Sequence, residues 1–394
     1  MSSIYEIHIP AGGSGGGPPP PGGQVYFAPK YLVGNVPNGD SAVAYNSGGF
    51  VYIPDPGDGT GIATALANGD GDVWARPGLY ELEDARLVVP PGVRLWGSGV
   101  TTTIQTDGFT DNCAVEVQSG GEFAWCRLFH DAEAAGATGH GIVEMSAPGA
   151  YAHDLTIALG TLVTGLNGGI YVSGTGTTAV SRIQNITIGL PLGVGGGDIN
   201  TWLAGIYGAA VTHVVQISNV SVTGGDSAIL SKRAEMHIDT LFATGQSTVP
   251  VYSPGGFLTI TGNRSTIQIT RATVTSGIFL SLGAYEISSV RFINISGGAA
   301  IPAILGSGSD VSGVCTIHAC EITSGFSPGI SLDFMQDSLI YGNRINSTAG
   351  VVPVVLGGTT ENCIVSGNVS RGSGGTLPTN AGTGNTFTNN IWGV

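Results

Sequence analysis

Charge is scarce in this 394-residue chain: Asp, Glu, Lys and Arg together make up 10% of it, against about 25% in an ordinary soluble domain. Lys30 and Lys232 are the only lysines. With 13 basic and 27 acidic residues the net charge is −14. A protein that coats phosphates needs Lys and Arg to displace counterions, so nucleic acid is excluded as a partner. The shortage of Glu, Lys and Arg excludes long charged helices and coiled coils. No apolar run reaches 18 residues, so no membrane-spanning helix is expected. The five cysteines (Cys113, Cys126, Cys315, Cys320, Cys363) are odd in number and form no CxxC pair. That argues against a disulfide frame and a zinc site. We expect no metal and no cofactor. The opening Met-Ser-Ser-Ile-Tyr-Glu lacks a basic n-region and an apolar h-region. We therefore expect no secretory signal, and synthesis in a reducing cytoplasm where thiols stay free.

Glycine, by contrast, is abundant, at 66 residues. It does not fall at every third position, so collagen is excluded. A hydrophobic content of 42% argues against disorder. Residues 11–24, AGGSGGGPPPPGGQ, read as a linker of flexible glycines around a stiff proline rod. They set apart residues 1–10, where Ile4, Tyr5, Ile7 and Ile9 suit either a disordered terminus or an arm that docks on a partner. Residues 25–59 form a transition segment. Thr60–Asn68 is the best helix candidate, with Thr60 as N-cap and Gly69 beyond its end. DPGDG before it reads as a turn, not a calcium loop.

The remainder is short β-branched runs cut by Gly, Asn and Ser. One six-residue frame recurs: apolar, any, any, small or apolar, any, apolar. It starts at Ala152, Ile183, Ile217, Ile238, Ile269, Ile287, Ile317, Ile340, Ile364 and Phe387. Each unit reads as one coil of a solenoid, with like strands stacked in parallel about 4.8 Å apart. Asn and Gly suit left-handed bends between the strands. A β-sandwich would also show short strands and turns, but not one frame repeated along the chain.

Two elements carry a resemblance. Pro77-Gly78-Leu79-Tyr80 is followed by Leu87-Val88-Val89-Pro90-Pro91-Gly92-Val93-Arg94-Leu95-Trp96-Gly97-Ser98-Gly99. They resemble the P-G-x-Y and L-x-V-P-x-G-V-x-L-x-G-x-G elements of the pectin-lyase-like superfamily, with one extra residue between Val88 and Pro91. The resemblance implies an all-β fold, a right-handed single-stranded parallel β-helix over residues 60–394 with a short N-terminal capping helix. A short N-terminal segment, a linker and such a helix also resemble phage tailspikes and other virion appendages. Those are usually homotrimers, and many degrade host polysaccharide.

If each frame's first residue points inward, the residue before it points outward. Arg182, Gln216, His237, Gln268 and Glu286 would then line one outer face, a strip suited to reading a glycan or simply a solvated sheet surface. The densest ionisable cluster is Lys232, Arg233, Glu235, His237 and Asp239. Glu235, His237 and Asp239 share parity and are candidates for acid–base work. Glu235 and Asp239 are about 13 Å apart on an extended strand, wider than the ~5–9.5 Å between glycosidase carboxylates. A catalytic partner must therefore come from another coil, such as Asp226 or Glu286. A local charge network explains the same residues. Trp202 and Tyr207 are the candidate sugar-stacking platforms. Trp74, Trp96 and Trp392 would close the ends of the core, and Cys315 and Cys320 would face inward.

Two functions fit. One is a structural subunit of a virion, a spike, fibre or decoration protein made in the host cytoplasm. It would be a homotrimer, docked through its arm and able to contact host polysaccharide. The alternative is a polysaccharide lyase or hydrolase on the same scaffold. A bacterial adhesin is a third, disfavoured by the missing export signal.

Overall fold

The computed structural model describes residues 29–35, 51–82, 86–106, 113–130, 141–160, 167–176, 179–192, 203–209, 213–262, 265–298, 300–307, 313–323, 325–346, 352–372 and 376–393. The arm with Ile4, Tyr5, Ile7 and Ile9, the linker and Trp202 lie outside them. Among the described residues, every strand pairing is parallel and there is one helix. The strands coil into a parallel β-helix. Successive parallel strands joined by crossovers take the right-handed sense.

Three ladders run the length of the rod. Ladder one passes through Arg94–Trp96, Glu122–Ala124, Tyr151–His153 and the first halves of Ser181–Leu192, Val214–Gly225 and Glu235–Thr244. It continues through the ends of Val251–Ile260 and Ile278–Ser288 to Thr386–Thr388. Ladder two follows it in each coil, from Gly78–Leu82 and Thr102–Thr106 to Ile391–Trp392. Ladder three precedes ladder one, from Leu87–Val89, Val115–Val117 and Gly141–Met145 to Thr379–Asn380.

Alternation along each strand builds the core. On ladder one Leu95, Phe123, Ala152, Ile183, Ile217, Ile238, Ile260, Ile287, Ile317, Ile340 and Val365 stack in register and are buried. The frame read from sequence therefore marks true coils, with two exceptions. Ile269 is buried but belongs to ladder two, opposite Asn294. The coil at that level starts at Ile260, and an insertion before Thr266–Ile269 hid it. The inward residue near Ile364 is Val365, while Ile364 is exposed.

Between ladders one and two, a single left-handed residue turns the corner in most coils. These are Trp125, Asp154, Asn185, Asn219, Thr240, Ser289, Ala319, Gly342, Gly367 and Asn389. The N–H groups of Trp125, Asp154, Ser289, Ala319, Gly342 and Gly367 donate to the coil above, as Asp154 does to Gln184 and Gly342 does to Ser366. One residue later the chain points inward. There Asn343 and Asn368 are buried, and each Asn amide links to the next coil up to Asn390.

The helix Thr60–Ala67 closes the N-terminal end and buries Ile62, Ala65 and Leu66. Its N-cap is Gly59, not Thr60. Buried Asp55 caps it, accepting from the N–H groups of Gly57, Gly59, Gly61 and Ile62. DPGDG is thus a helix-capping turn. All five cysteines are free and buried.

Candidate functional site

Outward residues of ladder one stack in the order Arg94, Glu122, Tyr151, Arg182, Gln216, His237, Thr259, Glu286, Thr316, Leu339 and Ile364. Arg182, Gln216, His237 and Glu286 therefore do share one face. Gln268 does not: it lies on ladder two between Thr244 and Ile293. Its place in the strip is taken by Thr259.

Glu235 and His237 pair, with Nε2 2.8 Å from the carboxylate. Met236 between them and Ile238 after them are buried, and Asp239, two residues beyond His237, is exposed. Asp226 does not join them. It is buried, and its carboxylate accepts from the Leu203 N–H at 3.0 Å and the Ser247 hydroxyl at 2.6 Å. That carboxylate braces neighbouring coils instead of facing a substrate. Tyr207 is not an exposed platform either. It lies in the strand Ala204–Gly208, nearly buried, and stacks on Tyr171 with centroids 5.1 Å apart.

Two arrangements were not foreseen. The first is on the outer side of ladder three. Glu116 and Glu144 are register partners on adjacent strands, so their side chains leave the sheet about 4.8 Å apart on the same side. Like charges in this relation are destabilising, and such costs concentrate at working sites. Arg86 reaches Glu116 at 3.1 Å. Ser146 donates to Glu116 at 2.7 Å, and Ser173 donates to Glu144 from the next coil. The next partners up the ladder are Tyr171, Tyr207, Leu230, Tyr252 and Phe279. Tyr252 and Phe279 stack at 4.9 Å. Burial, with help from Tyr207 and Glu144, pushes the Tyr171 hydroxyl up to about 12, so it stays a neutral phenol. The sequence signal was there: Val115-Glu116-Val117 returns one coil later as Val143-Glu144-Met145. It lies before the first frame, at Ala152.

The second is at the start of ladder one. Both nitrogens of His153 face carboxylates, Nε2 at 3.1 Å from Glu122 and Nδ1 at 2.7 Å from Asp154. Only the doubly protonated ring satisfies both. Burial pulls His153 toward neutrality, but the bonds to Glu122 and Asp154 outweigh it and raise its pKa. Burial likewise acts to raise Glu122, and the hydrogen bonds from His153 and Trp96 outweigh it, holding Glu122 low. Trp96 donates to Glu122 at 2.6 Å, and Arg94 lies over the Trp96 ring at 4.8 Å. Tyr151 stacks on His153 at 4.2 Å and donates to Gln184 at 2.7 Å. Trp125 is 42% exposed beside them.

Among the described residues no group of three or more His, Cys, Asp and Glu is arranged to hold a metal ion. His213 is buried, donates from Nδ1 to the Gly174 carbonyl at 2.8 Å and accepts from Ser181 at 2.6 Å. Burial lowers its pKa, so it is a neutral structural imidazole.

No protein-family model and no curated protein matches the chain. Solved structures do. The catalytic unit of a thermostable GH87 α-1,3-glucanase from Streptomyces thermodiastaticus strain HF3-3 superposes with a TM-score of 0.57 at 17% identity. The match covers 83% of this chain and 65% of the glucanase unit, just under two thirds of it. The A-modules of two Azotobacter vinelandii mannuronan C-5 epimerases, AlgE4 and AlgE6, match with TM-scores of 0.41 and 0.37 at 18% and 16% identity. They cover 86% and 85% of this chain, and 93% and 91% of their own. At such identities the shared property is the fold. That fold is a parallel β-helix.

Proposed function

We propose that the protein is a polysaccharide hydrolase whose site is the outer side of ladder three. The observation that carries this is the Glu116–Glu144 pair. One strand spacing is about the ~5–5.5 Å that separates nucleophile and acid in retaining glycosidases. Arg86 beside Glu116 suits that residue to the carboxylate role of nucleophile. Glu144 is then the group that protonates the leaving oxygen and later activates water. Tyr171 and Tyr207 continue the same column as a buried stack, a rigid wall beside the pair. A net charge of −14 and two adjacent glutamates repel uronate polymers, so the substrate class is a neutral glycan. The glucanase of the same fold is named for one such polymer.

The test is release of reducing ends from neutral polysaccharides. We expect Glu116→Gln and Glu144→Gln each to lose at least a hundredfold in rate with unchanged far-UV circular dichroism. NMR of the first product should show retention of anomeric configuration. Full activity in either variant, or inversion, would overturn the assignment.

A second reading, the virion appendage with a homotrimeric shaft and an N-terminal docking arm, has one structural feature in its favour. The upper half of ladder one exposes Leu339, Tyr341 and Ile364, an uncharged surface suited to contact between copies. The two readings are compatible.

A further inference from the structure

The proposed hydrolysis leaves the beginning of ladder one without a task. Its corner column reads Trp125, Asp154, Asn185 and Asn219 up the rod, all left-handed. Asn185 donates to Asp154 at 3.1 Å and Asn219 to Asn185 at 2.9 Å. Asp and Asn tolerate this backbone because their short polar side chains bond locally. Tryptophan does not, and a bulky residue with φ of 54° is held there under strain. The fold does not need an indole there, since asparagine turns the same corner two coils on.

The indole is exposed, yet its surroundings are fixed. The Trp96 and His153 ring centroids lie 5.6 and 5.7 Å from that of the indole, the His153 ring at 81° to it. His153 is clamped between Glu122 and Asp154. An exposed, rigid aromatic face loses little entropy when a ligand settles on it. Above it rise carboxylate and amide groups at about 4.8 Å per coil, close to the length of one pyranose unit.

We propose that this corner column is a second carbohydrate-binding surface, separate from the Glu116–Glu144 site. One pyranose ring lies flat on the Trp125 indole, and its chain runs up the rod against Asp154, Asn185 and Asn219. The surface's cations and carboxylates are interleaved, Arg94 with Asp72 and His153 with Glu122 and Asp154, so the ligand is a neutral glycan. The ligand class rests on the polysaccharide reading above; the site does not depend on catalysis at Glu116 and Glu144.

Affinity electrophoresis of the full chain tests it, in gels containing dextran, soluble starch or laminarin, with polygalacturonate as the anionic control. The double variant Glu116→Gln, Glu144→Gln prevents turnover. We expect at least one neutral glycan to retard it, with affinity falling tenfold or more when Trp125→Asn is added. Because asparagine suits the corner, Trp125→Asn should unfold at the same or higher denaturant concentration. A purely structural tryptophan would show the reverse pattern, lower stability with unchanged retardation. Unchanged retardation on Trp125→Asn, no retardation by any neutral glycan, or retardation by polygalacturonate alone would overturn the inference. Cleavage by the parent protein is scored separately, so either site can fail while the other stands.

Discussion

At the scale of single residues, His153 is the most informative side chain. Its raised pKa and the lowered pKa of Glu122 have opposite consequences for stability. The Glu122 contribution is fully present above its ordinary value of 4.5 and is lost as pH falls through the lowered one. The His153 contribution is fully present below its ordinary value of 6.5 and is lost as pH rises through the raised one. Both act together between 4.5 and 6.5. Tyr151 also stacks on the ring, and burial raises its pKa, so it stays a neutral phenol in that window. We therefore expect His153→Gln to destabilise most at about pH 5.5, by roughly 1 kcal/mol, and least at about pH 9. Urea midpoints of both proteins at the two pH values check this. A deficit that grows toward pH 9 would show that the carboxylates do not hold the ring charged. His213, with its opposite shift, is common to both proteins and cancels.

Within the elements, the corner column sets a second balance. Asn185 and Asn219 satisfy the left-handed backbone and bond one another, but the next corner up is Thr240, with φ of 65°. A β-branched residue is poorly suited to that region. Thr240→Asn should relieve the strain and extend the amide chain by one bond to Asn219, raising stability by about 1–2 kcal/mol. The hydroxyl contact it loses, to Asp239 at 3.4 Å, is weak. A lower urea midpoint in Thr240→Asn would contradict this account of the corner. The same column explains what the sequence could and could not reveal. The frame at Ile183 or Ile217 is legible because two inward apolar residues flank one bend, and asparagine signals that bend. At Ile260 the insertion before Ser265 breaks the spacing, although Ser265 still fills the inward corner, where its hydroxyl oxygen accepts from the Leu241 N–H at 3.1 Å. Near Ile364 two adjacent apolar residues leave the parity open. Trp125 was illegible because it occupies its corner against its own preference. Glu116 and Glu144 were legible as a repeated tripeptide, but only to a reader who already knew where ladder three ran.

For the whole rod, polarity changes along ladder one. Its lower half presents Arg94, Glu122, Arg182, His237 and Glu286. Its upper half presents Thr316, Leu339, Ile364 and Thr386 in register, with Leu339 38% and Ile364 43% exposed. Tyr341 and Val314 extend the apolar surface to either side. A chain of net charge −14 repels its own copies, so any self-contact is cheapest where charge is absent. We propose a second copy of this chain as the occupant. Every copy has the same rung spacing, so apolar columns of parallel rods match along their length, and cyclic symmetry closes the assembly. We expect sedimentation at micromolar concentration to give a trimer for the parent and a monomer for Leu339→Lys combined with Ile364→Lys. Both positions point outward from the core, so the double variant should keep the parent's circular dichroism. A monomeric parent, or a trimer that survives both lysines, would remove ladder one as the contact face and leave the apolar column without a role in assembly.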